Sequence, residues 1–249
     1  MGGRPVLVLV AVAMLFFILT CSAVGIRLLW RAARSHEAPE LYCGLGFAAI
    51  GLVGYPASLM SGNGVATIGE MWTSAYVVGM VFTNAGIAAF YLFTWQVFRR
   101  TRAAAGVVAI ACLCLAIGSI GAIWTVMHAN PSLGSMAVTA RWNLVLQAAC
   151  VGAFGWTTWE GIAQARMARR RLDLGLSDAI TVNRFWLWSA FGGSTMVITL
   201  AFVASQLLGR ASAEDPFVHL VTAVFGGISS VAMALAFFPP AAYTRWLRA

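Results

Sequence analysis

The polar side chains that could do chemistry are few, and each lies among apolar neighbours. Asn84 stands beside Thr83 in the middle of a long apolar run. Asn143 and Gln147 are four residues apart, so a helix places them on one face, and Cys150 and Phe154 continue that face. Neutral amides in such surroundings can hold an uncharged or weakly polar ligand. Asn84, Asn143 and Gln147 are therefore candidate ligand-binding residues. The plainer use of the same groups is hydrogen bonding between neighbouring helices. On the opposite face of that helix, Val145, Ala148, Gly152 and Gly155 read as a close-packing seam.

A second group is ionisable. Glu70, His128, Arg141 and His219 form an outer polar ring at the ends of apolar runs, joined by Glu214 and Asp215. Two histidines on one side could bind a metal or act as a pH-sensitive pair, since histidine titrates near neutrality. No His-x3-His spacing supports a metal, so solvated helix ends are the simpler reading and no metal site is assigned. Glu160 is the one acid expected below the opposite interface, where it should pair with Arg166 or with an arginine of a neighbouring loop. The five cysteines have no metal or disulfide spacing and read as small apolar packing residues.

Several chemistries are excluded or unsupported. The chain has no lysine, which rules out a retinal Schiff base, and no cofactor is expected. No Gly-rich phosphate loop, HExxH or GxSxG occurs, so no catalytic constellation is visible and an enzyme is not expected.

The elements that must position these residues follow from composition. Of 249 residues, 61% are hydrophobic and 10% charged, whereas soluble domains carry about 25% charged residues. Too little polar surface remains to cover a globule in water. Seven apolar segments are each close to the ~20 residues that cross a bilayer: 5–29, 40–60, 71–98, 103–127, 138–165, 183–208 and 216–238. The expected fold is all-α, a single polytopic seven-helix bundle spanning 1–249, with no soluble domain.

Arginine positions orient it. Thirteen of the sixteen lie on one side: Arg27, Arg31, Arg34, Arg99, Arg100, Arg102, Arg166, Arg169, Arg170, Arg171, Arg184, Arg245 and Arg248. Only Arg4, Arg141 and Arg210 lie on the other. By the positive-inside rule the N-terminus is outside and the C-terminus cytoplasmic, in a cell inner membrane. The arginines after the first segment argue against a cleaved signal peptide. The same clustering points to anionic lipid headgroups, and nucleic acid is not an expected partner.

Local signals complete the frame. Asp215-Pro216 starts the last helix and Pro239-Pro240 ends it, while Tyr55-Pro56 should kink the second. Gly25-Ile26 and the arginines after it echo Gly161-Ile162 and the arginines that follow, a hint of a 3+1+3 duplication. Arg166, Arg169, Arg170 and Arg171 open a polar interval reaching residue 184, an expected contact for lipid or for a membrane or cytoplasmic partner. Its alternating Leu172, Leu174 and Leu176 should lie on a surface before Ser177 or Asp178 caps the next helix. Two functions fit. One is a non-enzymatic protein that acts by binding, as a receptor-like sensor or a subunit of a larger membrane complex. The other is a small-solute transporter.

Overall fold

The computed structural model describes residues 4–62, 70–128, 139–210 and 215–248, and these are helix and short turns with no strand. In chain order the helices are α1 (Arg4–Ser35), α2 (Ala38–Ala48), a π-helical segment (Ala49–Gly54), α3 (Tyr55–Gly62), α4 (Glu70–Phe98), α5 (Arg102–His128), α6 (Ala140–Asp173), α7 (Ala179–Leu207), α8 (Pro216–Phe237) and α9 (Ala241–Arg248). Among the described residues, six helices are long and apolar enough to cross a membrane: α1, the α2–α3 rod, α4, α5, α7 and α8. α6 is as long, but it carries Glu160 and the arginine cluster of its last turns.

The helical rods form a closed ring. α1 packs on the α2–α3 rod, that rod on α4, α4 on α6, α6 on α7, α7 on α8, and α8 back on α1. α5 packs on α4 and α6 from outside the ring. Its far face, Ile110, Leu113, Ile117, Ile120 and Trp124, is exposed.

Glycine sets the closest approaches. A Cβ on Gly25 of α1 would lie 2.5 Å from the Ala48 backbone nitrogen, and one on Gly51 would lie 2.7 Å from that of Ser22. Across α6 and α7 the same pattern recurs. A Cβ on Gly161 would strike Ser189 Oγ, and one on Gly192 would lie 2.7 Å from Thr158 Oγ1. In each pair of helices two glycines, one from each partner, face small residues. Gly25 is three residues after Ser22, as Gly161 is after Thr158; Gly51 is three after Ala48, as Gly192 is after Ser189. The expected seam on the other face of α6 forms in part: a Cβ on Gly152 would strike Tyr91 OH of α4 and one on Gly155 would lie 3.3 Å from Met196 Sδ, whereas Val145 and Ala148 are exposed. α7 takes the face carrying Phe154, Thr158 and Gly161.

At Tyr55-Pro56, where a kink is expected, the helix changes its hydrogen-bond pattern. Pro56 has no N–H and its ring clashes with the carbonyl one turn earlier. The chain answers with a wide turn just before it, in which the Tyr55 N–H reaches Ile50 O, five residues back.

The ends of α6 and α7 differ from expectation. α6 runs on through Arg166, Arg169, Arg170 and Arg171, all exposed, to Asp173. Of the expected long loop only a short turn remains. Gly175 (φ 72°) ends the helix, with its N–H on Leu172 O and that of Leu176 on Arg171 O. Leu174 and Leu176 are three-quarters exposed. Asp178 then caps α7 by accepting from the Thr181 N–H.

Because the Gly25 contact is with backbone, which cannot rotate away, Gly25→Ala is expected to lower stability more than Gly161→Ala, which meets a serine hydroxyl. Overpacking of this kind costs about 1–3 kcal/mol. Thermal unfolding of both variants in one detergent, scored by the folded fraction retained, checks the order.

Candidate functional site: two cavities on the axis of the ring

The ring axis holds two cavities separated by aromatic side chains. The first, of about 110 Å³, is lined from every rod of the ring. Ala13, Met14 and Phe17 come from α1, and Ile50 and Tyr55 from the π-helical segment and α3. Thr83 and Ile87 come from α4, Cys150 and Phe154 from α6, Thr195, Ile198, Thr199 and Phe202 from α7, and Thr222 and Gly226 from α8. Its chemistry is that of hydroxyls in an apolar shell. Thr195 and Thr199 each donate to the carbonyl four residues back, at 2.9 Å, and Thr199 also meets Cys150 Sγ at 3.5 Å. Thr222 Oγ1 is buried and has no hydrogen-bond partner among the described residues, and an unpaired buried hydroxyl costs on the order of 1–3 kcal/mol. Gly226 leaves the wall open, since a Cβ there would find only Ala13 Cβ, at 4.0 Å.

The partition is built from Phe47, Phe90, Phe154, Trp188, Phe191 and Phe237. Neighbouring rings lie edge-on or tilted with centroids 4.9–6.4 Å apart, from Phe47–Phe90 at 4.9 Å to Phe90–Trp188 at 6.4 Å. Such pairs contribute about 0.5–1.5 kcal/mol each beyond the area they bury. Phe47, at the end of α2, and Phe191, near the middle of α7, are almost fully enclosed.

The second cavity, of about 280 Å³, lies at the arginine-rich end. Arg27, Arg31 and Arg184 rim it, and Phe93, Trp188 and Phe237 are among its walls. Arg27 donates to Phe237 O at 2.8 Å and lies 4.8 Å from the centre of the Phe238 ring. Arg31 pairs with Glu40 at 3.1 Å.

Compared with known protein families, characterised proteins and solved structures, the chain matches none. Its site has to be read from its own residues.

The sequence candidates divide. Cys150 and Phe154, on the Asn143 face, line the axial cavity. The amides themselves do not. Asn84 donates to Ser119 Oγ at 2.9 Å and so ties α4 to peripheral α5. Asn143 Nδ2 donates to Thr139 Oγ1 at 3.0 Å, the atom that also accepts from Tyr76 OH. Gln147 Oε1 is buried without a partner but is not among the cavity's lining atoms. The outer ring does not converge either. His128 is exposed, stacks on Trp124 at 3.9 Å and stands on α5, whereas His219 lies in the first turn of α8 on another side of the ring. Arg141 is exposed at the start of α6. The Glu70 side chain and Glu214 lie outside the described residues. Among the described residues no three His, Cys, Asp or Glu side chains come together as a metal site would need. Glu160 pairs with the neighbouring loop's Arg99, which donates to Oε1 at 2.8 Å, and it also accepts from Trp156 Nε1 at 3.2 Å.

At the end opposite the arginines, Asp215 holds α8 to α7. Its carboxylate accepts from Ser205 Oγ at 3.1 Å and from the Phe217 N–H at 3.0 Å, with Arg210 at 3.7 Å. Burial works to raise its pKa, but these three partners together hold it below the ordinary value. A lowered folded-state pKa stabilises the protein above the unfolded-state value, and that stability is lost as pH falls through the lowered one. Acidification is therefore expected to loosen the α7–α8 end in the wild type. Asp215→Asn should remove this acid-side dependence at the cost of lower stability at neutral pH, as read from unfolding temperature against pH.

Proposed function

We propose that the chain is a small-solute carrier of 3+1+3 architecture whose substrate occupies the hydroxyl-lined cavity. In this reading α6 is a seventh membrane crossing, so the bundle has seven spans with the N-terminus outside and the C-terminus cytoplasmic, in an inner membrane. The observation that carries the reading is a cavity on the axis of a ring to which α1, the α2–α3 rod and α4 contribute one half and α6, α7 and α8 the other. The order around the ring is unchanged when each half is exchanged for the other, and α5 is the odd helix that joins them. The glycine contacts of α1 with the α2–α3 rod recur with the same spacings between α6 and α7. That recurrence supports a duplication better than the arginine echo does, because interface rules do not dictate it.

The substrate class follows from the lining. Threonine hydroxyls and Tyr55 offer hydrogen bonds without charge, and about 110 Å³ admits a solute of a few non-hydrogen atoms. A charged cargo would need a compensating charge that the lining lacks. The aromatic partition is then the closed gate, and the wide turn beside Ile50 is the place where a helix can flex. A second reading, as a receptor-like sensor or a subunit of a larger complex, has its own support in the exposed end of α6, where Arg166 to Arg171 and the two leucines after it form a contact surface.

Gly226→Val is the informative variant, because it puts two methyl groups into the cavity without striking backbone. Proteoliposomes carrying the wild type are expected to pass at least one of glycerol, ethylene glycol, urea or acetamide about tenfold faster than empty liposomes, and Gly226→Val should abolish the difference with unchanged unfolding temperature. Flux equal to that of empty liposomes across the panel would sink the carrier reading. For orientation, single cysteines placed at Arg100 and Arg170 in a cysteine-free background are expected to resist an impermeant thiol reagent in intact cells and to react after lysis. One placed at Arg210 should react in both.

A further inference from the structure

We propose that the cavity at the arginine-rich end is a binding site for a small organic anion, a carboxylate or phosphate carried on a flat apolar body. This site is separate from the hydroxyl-lined cavity and stands whether or not the chain transports anything.

Interface rules account for arginines at this end of the bundle but not for their arrangement. Three arginines from two helices, Arg27 and Arg31 of α1 and Arg184 of α7, line one cavity. Only Arg31 has a carboxylate partner, Glu40. Arg27 is held in place by Phe237 O and the Phe238 ring, neither of which neutralises it. Arg184 has no acidic partner among the described residues. The rim thus keeps a net positive charge, and guanidinium geometry matches carboxylate and phosphate oxygens.

The wall supplies the second observation. Trp188 lies one turn after Arg184 on α7, is more than nine-tenths buried, and lines this cavity. Phe93, Phe237 and the Trp188 ring offer flat apolar contact to the body of a molecule whose anionic group the arginines hold. A free metabolite or the headgroup of an anionic phospholipid could bring this chemistry.

The test is equilibrium dialysis of labelled phenylacetate against the full chain in nanodiscs of phosphatidylcholine, with phenylacetamide as the neutral isostere. Saturable binding of phenylacetate and none of the amide is expected. Arg184→Gln, an exposed position that leaves the packing intact, should weaken binding about tenfold or more, the loss typical of a charge-assisted hydrogen bond. Arg100→Gln, at the same end but outside the cavity, should change nothing. Adding phosphatidylglycerol to the nanodiscs identifies the source: competition assigns the site to lipid headgroups, and its absence to a soluble anion. Equal binding of the amide, or equal loss in the Arg184 and Arg100 variants, would overturn the site.

Discussion

Backbone meeting backbone at glycine is the contact on which the remainder of the structure depends. In a bilayer no hydrophobic force pulls helices together, because lipid tails are as apolar as leucine. Packing has to supply the attraction, and it does so best where helices touch most closely. Gly25 and Gly51 let α1 lie directly on the α2–α3 rod, and Gly161 and Gly192 let α6 and α7 approach until they meet the Ser189 and Thr158 hydroxyls. These two tight pairs are opposite sides of the ring. α4 and α8 complete it, with Gly46 and Gly86 admitting α4 against α2.

What the ring encloses is graded along its axis. Hydroxyls surround the first cavity, rings fill the partition, and guanidinium groups rim the second cavity. Each layer follows from what its depth allows. Hydroxyls satisfy themselves on their own helix and so can be buried at moderate cost, as Thr195 and Thr199 do. Aromatic side chains fill the width of the axis. Guanidinium groups stay where they can reach water and headgroups. Of the four buried polar atoms without a partner among the described residues, Thr222 Oγ1 and Trp188 Nε1 belong to residues that line a cavity, and Gln147 Oε1 and Gln206 Oε1 do not.

The buried amides teach a complementary lesson. Asn84 and Asn143 were the obvious polar groups of the apolar runs, yet they tie helices and helix ends together. An amide left unpaired in low-dielectric surroundings is costly, and Asn84 and Asn143 meet that cost by pairing with the nearest hydroxyl. Threonine escaped notice for the opposite reason. Its hydroxyl is usually spent on its own helix, so Thr195, Thr199 and Thr222 look in sequence like many other threonines of apolar helices. The four-residue step from Thr195 to Thr199 was a visible signal, but nothing in it said which way that face of α7 points.

The sequence by itself determined the all-helical class, the positions of most helices and the residues that start and stop them. Those depend on local composition: apolar runs about as long as a bilayer is thick, Asp178 and Asp215 as caps, Pro56 as a breaker. It also pointed to the arginine partner of Glu160, because a buried carboxylate needs one and the neighbouring loop was rich in them. Tertiary structure alone decided which helices are neighbours, that α5 stands outside the ring, and that Gly25 and Gly161 do matching work. It also decided which polar side chains share a space. The arginine-rich interval became a helix end with a five-residue turn, because Gly175 could adopt a positive φ and end α6 sharply. Periodicity tells which residues share a face. Where that face points depends on contacts between helices far apart in the chain, and in this protein glycine, not the polar residues, sets those contacts.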